Sequence, residues 1–333
     1  MKCNISKAVA ASAVGGLFLL ASCSGAEPGA SGAPTDADSS APAGDGQYQI
    51  TLGVVPGPDI GLLQVPEVQE IFESHGVSLE ITNVQGPQVV TGVVSDQFDL
   101  AYAAYSPAIL AMVAGTDLRV ISGLSVYGPE GHNGATLVKK DSGIETWADI
   151  AGKKVATPSP RSLSALTLQT AITNDGGDAG NVVEIVPLPH AQVAQALEDG
   201  QVDVADLVEP FASEALEQFP DLMDIGDSKA YVLGEGGPFT GFFTTGETAE
   251  REAEAFDAFR TALDEAIEYG NANPDEVKRA GAEQAGLSEE VALSLPDSSY
   301  DSEVTVEGLT PLVDAMTGLG WIESAPDLEK FVG

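Results

Sequence analysis

The sequence predicts an α/β fold made of two lobes, and three observations support this prediction. From residue 48 onward, segments typical of strands alternate with segments typical of helices, which is the pattern of parallel sheets covered by helices. The stretch Gln97-Phe98-Asp99-Leu100-Ala101 returns as Gln201-Val202-Asp203-Val204-Ala205, at an offset of 203 − 99 = 104 residues. A chain of 333 residues is also too long for one small domain and suits two lobes of ordinary size.

The N-terminal residues predict export. Lys2 and Lys7 accompany an apolar run at residues 8–20, which is too short to span a membrane as a mature helix. The following Leu20-Ala21-Ser22-Cys23 resembles a bacterial lipobox, in which the cysteine is acylated and becomes the first mature residue. The alternative is an ordinary secretory signal with an incidental cysteine. Cys3 would be removed with the signal, so Cys23 would have no disulfide partner, which favours lipidation. We therefore expect a lipoprotein signal peptide at residues 1–22 and a protein attached outside the cell membrane.

A disordered tether is predicted at residues 23–47. This segment contains no Ile, Leu, Val or aromatic residue, so it buries too little apolar surface to offset the entropy of ordering. A flexible chain of this length reaches roughly 25–30 Å.

The α/β region is predicted to form two lobes, with lobe 1 at residues 48–133 and 238–333 and lobe 2 at residues 134–237. Strands are predicted at residues 48–55, 77–84, 98–103, 118–124, 135–138, 153–157, 182–187 and 202–208. Helices are predicted between the turn at 56–58 and residue 76, at 88–95, from Pro107, at 162–174 and at 191–199. His132 lies at the predicted crossover and is a candidate hinge residue.

The last third of the chain is predicted to be mainly helical. At residues 248–270 the large apolar side chains follow helical spacing, with Phe256, Phe259, Leu263 and Ile267 on one face. Further helices are predicted at 273–285, 288–294 and 305–319. We expect these helices to pack on a lobe and to carry no chemistry.

The charge excludes one class of partner. The chain has 51 Asp and Glu against 14 Lys and Arg, a formal charge of −37, so its surface would repel nucleic acid. Solubility and adaptation to salt or to a high-GC genome are the simplest explanations of this acidity. The sequence contains no Walker A loop, Gly-x-Ser-x-Gly elbow or His-Glu-x-x-His motif, and its three histidines are not spaced as metal ligands. We expect no catalytic residue, no cofactor and no metal.

Five short stretches together resemble one family of binding proteins. They read KDSGI at 140–144, WADIAGKKVA at 147–156, VEIVPLP at 183–189, ALEDGQVD at 196–203 and EPF at 209–211. This set is similar to the nitrate/sulfonate/taurine substrate-binding proteins of ABC importers, a family that includes binders of thiamine-pyrimidine precursors. The resemblance covers roughly residues 50–246. Two positions depart from the family pattern and bear on ligand class: Val208, where the family often has an aromatic residue, and Asp206, where an apolar residue is usual.

The resemblance implies a type II periplasmic-binding-protein fold, with two α/β lobes around a cleft and the C-terminal helices packed on lobe 1. Each repeated strand would then end at the cleft and continue into a helix near a proline, Pro107 or Pro210, because ligands of open parallel sheets lie outside the carboxyl ends of the strands. Ser106 suits the N-cap position before Pro107, and the exposed N–H groups of a helix N-terminus attract anions. The implied partners are a small-molecule ligand, an ABC-transporter permease and the membrane through Cys23. We expect a monomer.

The candidate ligand-binding residues lie in the predicted cleft loops. They are Asp59, Tyr102, Tyr105, Ser106, Tyr127, Ser159, Arg161, Ser162 and Glu209. Arg161 is the one basic residue assigned to a cleft loop, and its planar guanidinium suits an acidic head group, although a solvated arginine at a helix start is the alternative. The tyrosines either line the pocket or form a core edge. Glu209 either binds an amine or ring N–H or caps a helix, and His190 lies either at the cleft rim or on the surface.

Three function classes follow. The first is a lipid-anchored binding protein that delivers a small solute to an ABC importer. The second is a secreted enzyme on the same fold, such as a dehydratase of a small carboxylate, and it lacks a clear catalytic pair. The third is a sensor or interaction module. For the ligand, Arg161 and the helix N-termini favour a sulfonate-like, taurine-like or nitrate-like anion, whereas the tyrosines and Glu209 suit a pyrimidine or another nitrogen heterocycle.

Overall fold

The computed structural model describes residues 47–84, 86–128, 134–178, 184–285 and 288–333. The signal peptide, the tether, Cys23 and His132 therefore lie outside the described residues. Within them, the chain folds into two mixed sheets with helices packed around both.

The first sheet has six strands. They are β1 (Tyr48–Val54), β2 (Val77–Asn83), β3 (Leu100–Ala104), β4 (Leu118–Val126), β10 (Pro238–Thr245) and β11 (Ser299–Tyr300). Their order across the sheet is β11-β4-β10-β3-β1-β2. The helices of this part are α1 (Pro66–Ser74), α2 (Gly86–Val94) and α3 (Ser106–Val113), with a 3₁₀ helix at Asp59–Gln64.

The second sheet has five strands. They are β5 (Gly134–Lys139), β6 (Lys154–Thr157), β7 (Glu184–Pro187), β8 (Val204–Val208) and β9 (Leu222–Asp224), in the order β7-β6-β8-β5-β9. The accompanying helices are α4 (Leu163–Asn174), α5 (His190–Glu198) and α6 (Phe211–Gln218), with 3₁₀ helices at Ala148–Ile150 and Ser228–Tyr231.

Both sheets share one topology, and it corrects the prediction of purely parallel sheets. In each sheet, one strand lies between the third and fourth of four strands that follow one another along the chain, and it runs antiparallel to both neighbours. β10 does so between β3 and β4, and β5 does so between β8 and β9. The sequence analysis assigned no strand to β10. The lobe boundaries at 133/134 and 237/238 stay a prediction.

The last third of the chain is helical, as predicted. The stretch predicted as one helix at 248–270 forms two, α7 (Gly246–Arg251) and α8 (Ala253–Ala272), and the other three predicted helices are α9 (Pro274–Ala285), α10 (Glu289–Ser294) and α11 (Val306–Gly318). A further helix, α12 (Leu328–Val332), was not predicted. The predicted apolar face of α8 is buried in one core with β1 and β3, and the Phe259 ring lies 5.0 Å from that of Phe242. α11 buries Leu309, Leu312 and Val313 in a second core under the same sheet. Burial of this apolar area holds these helices on the first sheet.

The repeated sequence forms the same turn in both sheets. After α2 the chain takes a left-handed conformation at Asp96 (φ 53°), and after α5 it does so at Gly200 (φ 70°). The N–H groups of Gln97 and Gln201 then donate to carbonyls of the preceding helices, each at 2.9 Å. Asp99 Oδ2 accepts the Thr51 N–H at 2.8 Å, and Asp203 Oδ2 accepts the Lys154 N–H at 2.9 Å. The Gln-x-Asp-x-Ala repeat therefore fixes the start of β3 beside β1 and the start of β8 beside β6.

Candidate ligand-binding site

The carboxyl ends of the parallel strands mark the candidate site, because solutes of open α/β sheets bind outside those ends. In the first sheet, the segments after β1 and β3 meet the first residues of the antiparallel β10 and the last residues of β4. In the second sheet, the carboxyl ends of β8 and β9 lie on either side of β5, with Val208 opposite Gly134 and Asp224 opposite Leu137. Buried polar side chains lie at the carboxyl ends of the parallel strands in both sheets. We call this end of the first sheet the first edge and this end of the second sheet the second edge.

A hydroxyl network lies at the first edge, around a buried carboxylate. Asp59 is 3% exposed, and its Oδ2 accepts hydrogen bonds from Ser125 Oγ and Thr240 Oγ1, both at 2.6 Å. Tyr102 Oη donates to Thr240 Oγ1 at 3.1 Å, and Tyr300 Oη donates to the Asp59 carbonyl at 3.1 Å. Burial, followed by the nearby Asp59 charge, raises the pKa of Tyr102 well above its ordinary value. The structure thus brings the candidates Asp59 and Tyr102 together through Thr240, which the sequence analysis did not identify.

Tyr105 belongs to the core in this structure. It is 1% exposed, its Oη donates to the Thr240 carbonyl at 3.3 Å, and its ring meets the Phe331 ring edge-on at 6.4 Å. A Cβ at Gly241 would lie 2.0 Å from Tyr105 Oη, so a glycine in the middle of β10 lets this tyrosine cross the strand. From the sequence, each tyrosine could either line the ligand pocket or lie at the edge of the core. The contacts of Tyr105 are those of a core residue.

Ser106 does not act as the predicted N-cap. It is the first residue of α3, the cap position is Tyr105, and no side-chain hydrogen bond caps the helix. Ser106 is fully buried, and among the described residues its Oγ has no hydrogen-bond partner. A buried hydroxyl without a partner is costly, and this one lies at the start of α3, where helix N–H groups are free to bind; a ligand contact of Ser106 stays a prediction.

A charged network lies at the second edge. Asp206 is fully buried, and its Oδ1 accepts Thr136 Oγ1 at 2.9 Å and Ser228 Oγ at 3.2 Å. Lys229 is 1% exposed, and its Nζ bonds Asp227 Oδ1 at 2.9 Å. Burial alone would lower the pKa of Lys229, but the Asp206 and Asp227 charges raise it above its ordinary value, so the amine is protonated at neutral pH.

The position of Lys229 corrects the sequence analysis, which placed the lysines and arginines other than Arg161 outside the cleft loops. Lys229 follows β9 in a segment for which no helix or strand was predicted. The only local signal there is the short Asp227-Ser228-Lys229 pattern, in which Asp227 caps the 3₁₀ helix. The charge of Asp206, a strand residue 23 positions earlier (229 − 206 = 23), helps to raise the pKa of Lys229, and sequence spacing does not show that the two residues lie close together.

Glu209 and His190 complete the second edge. Glu209 directly follows β8, is 9% exposed, and accepts the Ser213 N–H at 3.1 Å. Burial raises the pKa of the Glu209 carboxyl above its ordinary value. His190 begins α5 and stacks on Phe211, with ring centroids 5.6 Å apart. His190 is half-buried, and burial lowers its pKa from 6.5 to about 4.

The loop between β6 and α4 holds three candidates, two with local contacts and one, Arg161, with a distant partner. Ser162 caps α4 by accepting the Ala165 N–H at 3.2 Å, and its hydroxyl donates to the Ser159 carbonyl at 2.8 Å. The exposed Arg161 donates to the Trp321 carbonyl at 2.9 Å, and its guanidinium lies 5.2 Å from the centre of the Trp321 ring. Arg161 therefore joins the second-sheet region to the segment between α11 and α12.

Tyr127 connects the two sheets. It directly follows β4, is 3% exposed, and its backbone N–H donates to the Gly237 carbonyl at 2.8 Å. Burial and the neighbouring Asp227 charge raise the pKa of its hydroxyl. Ligand contacts of Tyr127, Arg161 and the other candidate residues stay predictions.

Comparison with protein families gives a match to the NMT1/THI5-like model over residues 63–277. The chain belongs to the NMT1/THI5-like family. The matched region includes strands of both sheets, both repeated turns and the second-edge residues, whereas Asp59 and Tyr300 of the first edge lie outside it. The recognition made from the five short stretches is thereby confirmed.

Two proteins similar to this chain in sequence have names that refer to solute binding or import. A Bacillus subtilis protein named as an aliphatic sulfonates-binding protein is 29% identical over 162 residues, which are 48% of this chain and 47% of that protein. The nitrate import ATP-binding protein NrtC of Synechocystis is 27% identical over 189 residues, 52% of this chain and 28% of that protein. The chain thus spans less than half the length of either relative.

Solved structures confirm the fold. The periplasmic aliphatic sulphonate binding protein SsuA of Escherichia coli superimposes with a TM-score of 0.69 at 21% identity, covering 86% of this chain and 92% of that one. The alkanesulfonate-binding protein SsuA of Xanthomonas axonopodis pv. citri, bound to MOPS, gives a TM-score of 0.70 at 18% identity, covering 85% and 97%. The predicted type II periplasmic-binding-protein fold is correct, and the strand order of both sheets agrees with it.

The His, Cys, Asp and Glu side chains of the described residues form no group of three or more that could hold a metal ion. None of their helices combines the length and the apolar character that a bilayer crossing requires.

Proposed function

We propose that this chain is the solute-binding component of an ABC importer, attached outside the cell membrane by a lipid on Cys23. It captures a small organic anion of the sulfonate class between the first and second edges and delivers it to the permease. The family match over both sheets carries this proposal, because a two-lobed binding fold presents two facing edges to one solute. The sulfonate-related names of the sequence and structural relatives support the ligand class.

The first edge offers a place for the anionic group. The start of α3 supplies backbone N–H groups and the positive end of the helix dipole, and the buried Ser106 hydroxyl adjoins them without a partner among the described residues. Arg161, with donors beyond the one that bonds Trp321, is a second candidate for contact with the anion.

Calorimetric titration with ethanesulfonate tests the ligand class. We expect wild type to bind ethanesulfonate and Ser106→Ala to bind it about tenfold more weakly, because one hydrogen bond to a charged group is lost. Ser122→Ala is the matched control, since Ser122 is also buried in the first sheet but already donates to the Gly123 carbonyl. Failure of wild type to bind any alkanesulfonate would reject the anion proposal.

Detergent partitioning tests the anchor. Wild type produced in a bacterial host should enter the detergent phase, whereas Cys23→Ala should remain in the aqueous phase or stay unprocessed. Equal partitioning of the two proteins would exclude lipid attachment at Cys23.

The acidic second edge favours the second ligand candidate, a thiamine-precursor pyrimidine or another nitrogen heterocycle. Glu209 and Asp206 are both buried there, and either carboxylate could accept an N–H group. The enzyme alternative has weaker support. Lys229 is the best candidate for a general base, but the carboxylates around it keep its amine protonated at neutral pH.

A further inference from the structure

The end of α11 holds Trp321 at a fixed place beside the first sheet. α11 is packed in the second core under that sheet, and it ends in a Schellman turn in which Gly320 is left-handed (φ 67°). The Gly320 N–H donates to the Thr317 carbonyl at 3.0 Å. The Trp321 N–H donates to the Met316 carbonyl at 2.8 Å. The next residue, Ile322, is buried in the same core, so the backbone is fixed on both sides of the indole.

From this place Trp321 contacts the second-sheet region through three interactions. Its indole N–H donates to Gln169 Oε1 on α4 at 3.3 Å. Its carbonyl accepts a hydrogen bond from the Arg161 guanidinium at 2.9 Å, and the same guanidinium lies 5.2 Å from the centre of its ring. A cation over an aromatic face is an attractive contact that adds to the two hydrogen bonds. We call Trp321, Arg161 and Gln169 the Trp321 clasp.

The helix that receives the clasp belongs to two cores. Near the start of α4, Leu163 and Leu166 lie in the core that also contains α11. Farther along the same helix, Leu168 and Ile172 lie in a core of the second sheet together with Val155 of β6. A movement of the second sheet relative to the first must therefore move α4 against α11. The clasp lies across these two helices and opposes that movement.

The clasp is formed in an arrangement that shields both edges from solvent. Ser106 at the first edge and Asp206 at the second edge are fully buried, and Asp59 and Lys229 are 3% and 1% exposed. In a two-lobed binding fold, closure of the cleft removes the polar groups that line it from solvent. A contact made between the lobes in this arrangement stabilises the closed form relative to an open form in which it is broken.

We propose that the Trp321 clasp stabilises the closed arrangement of the two lobes, so that the C-terminal segment supplies part of the free energy of closure. The inference concerns the equilibrium between open and closed forms and does not depend on the class of solute. Because the solute contacts both edges only in the closed form, a clasp that raises the closed population also raises the apparent affinity.

Small-angle scattering without solute gives the first test. Trp321→Ala should have a larger radius of gyration than wild type, since more molecules are open. Trp321→Phe keeps a ring for the guanidinium and loses the indole N–H, so its radius should lie between the two. Trp147→Phe is the matched control, because Trp147 lies in a core of the second sheet, and it should scatter as wild type does. Equal radii for wild type and Trp321→Ala would overturn the inference.

Calorimetric titration with ethanesulfonate gives the second test. Gln169→Ala removes the acceptor of the indole N–H and should weaken binding about 2- to 10-fold. Trp321→Ala, which also loses the ring contact, should weaken it about 5- to 30-fold. Gln192→Ala, at an exposed glutamine of α5, is the matched control and should bind as wild type does. Arg161 is left unchanged because it is also a candidate for solute contact. Wild-type affinity in Gln169→Ala and Trp321→Ala would contradict the clasp.

The two tests separate this inference from the proposed function. If ethanesulfonate does not bind wild type but the radius of gyration increases in Trp321→Ala, the clasp stands and the anion proposal fails. If ethanesulfonate binds wild type and both clasp variants equally, the anion proposal stands and the clasp fails. Gln169→Ala alters a half-buried side chain on the surface of α4, so it provides a scattering and binding result even if Trp321→Ala does not fold.

Discussion

Two turns in this molecule, 104 residues apart, start the third strand of their sheets in the same way. Each turn has one left-handed residue, Asp96 or Gly200, and each uses an aspartate to hold the neighbouring strand. At the other end of these strands the similarity is lost. At the same offset Tyr102 corresponds to Asp206, and Tyr105 corresponds to Glu209. The turn and its hydrogen bonds are therefore repeated at the start of the strand, whereas the side chains at its carboxyl end differ.

The difference extends to the networks around those positions. At the first edge, the hydroxyl groups of Ser125 and Thr240 donate hydrogen bonds to one carboxylate, Asp59. The second edge combines carboxylates with the buried cation Lys229 and leaves Asp206 Oδ2 unpaired. Because ligands bind outside the carboxyl ends of such strands, the proposed function and this divergence together predict that the two edges contact different groups of one solute.

Removing the buried cation should produce the largest effect. Lys229→Met leaves the Asp227 and Asp206 charges buried without their cation, and we expect it to lower the free energy of unfolding by about 3–5 kcal/mol. Tyr102→Phe, which removes one neutral hydrogen bond at the first edge, should cost about 1 kcal/mol. Chemical denaturation compares the two variants. Equal losses would contradict the contrast between a charged and a hydroxyl-based edge. The double variant Lys229→Met/Asp227→Asn should recover part of the loss.

The histidine of the second edge should produce the next effect, and it depends on pH. The folded-state pKa of His190 is lowered from 6.5 to about 4, so the unfolded chain takes up this proton first as the pH falls. His190 therefore destabilises the protein progressively between pH 6.5 and 4, by up to about 3 kcal/mol, and has no such effect above pH 6.5.

A difference measurement isolates this contribution, because the raised carboxyl pKa values of Glu209 and Asp227 act in the opposite direction over the acidic range. The unfolding free energies of wild type and His190→Gln should converge or cross as the pH falls from 6.5 to 4, with wild type losing more. Parallel curves would show that His190 is not buried as a neutral group.

The two repeated aspartates should give the smallest effects. Asp99 is half-buried and binds both the N–H and the hydroxyl of Thr51, so Asp99→Ala should cost about 2 kcal/mol. Asp203 is exposed and binds the Lys154 N–H, so Asp203→Ala should cost about 1 kcal/mol. Thermal unfolding ranks them. No measurable loss in either variant would mean that the repeat does not fix the strand starts.

Local patterns predicted most of the fold. Alternating and helical periodicity located β1, β2, the repeated strands and the apolar face of α8, because those signals depend on neighbours in sequence. β10 was missed because it is buried along nearly its whole length and contains Gly241, so it shows no alternation of apolar and polar residues. Its antiparallel insertion between β3 and β4 depends on partners more than 100 residues away.

The candidate site was predicted less completely, for the same physical reason. Asp59, Ser106 and Glu209 follow strand ends and could be found by position alone. Lys229, Thr240 and Ser125 belong to the networks through contacts between distant segments. The Arg161 guanidinium likewise donates to the carbonyl of Trp321, 160 residues away, and local sequence does not show this contact.

The central claim is that the two unlike edges close on one solute. Small-angle scattering tests it on the protein without its signal peptide, with ethanesulfonate or another alkanesulfonate that calorimetry shows to bind. The account predicts a smaller radius of gyration at saturation than without solute, since closure brings both edges onto the same molecule. A radius of gyration that stays unchanged at saturating solute would contradict it.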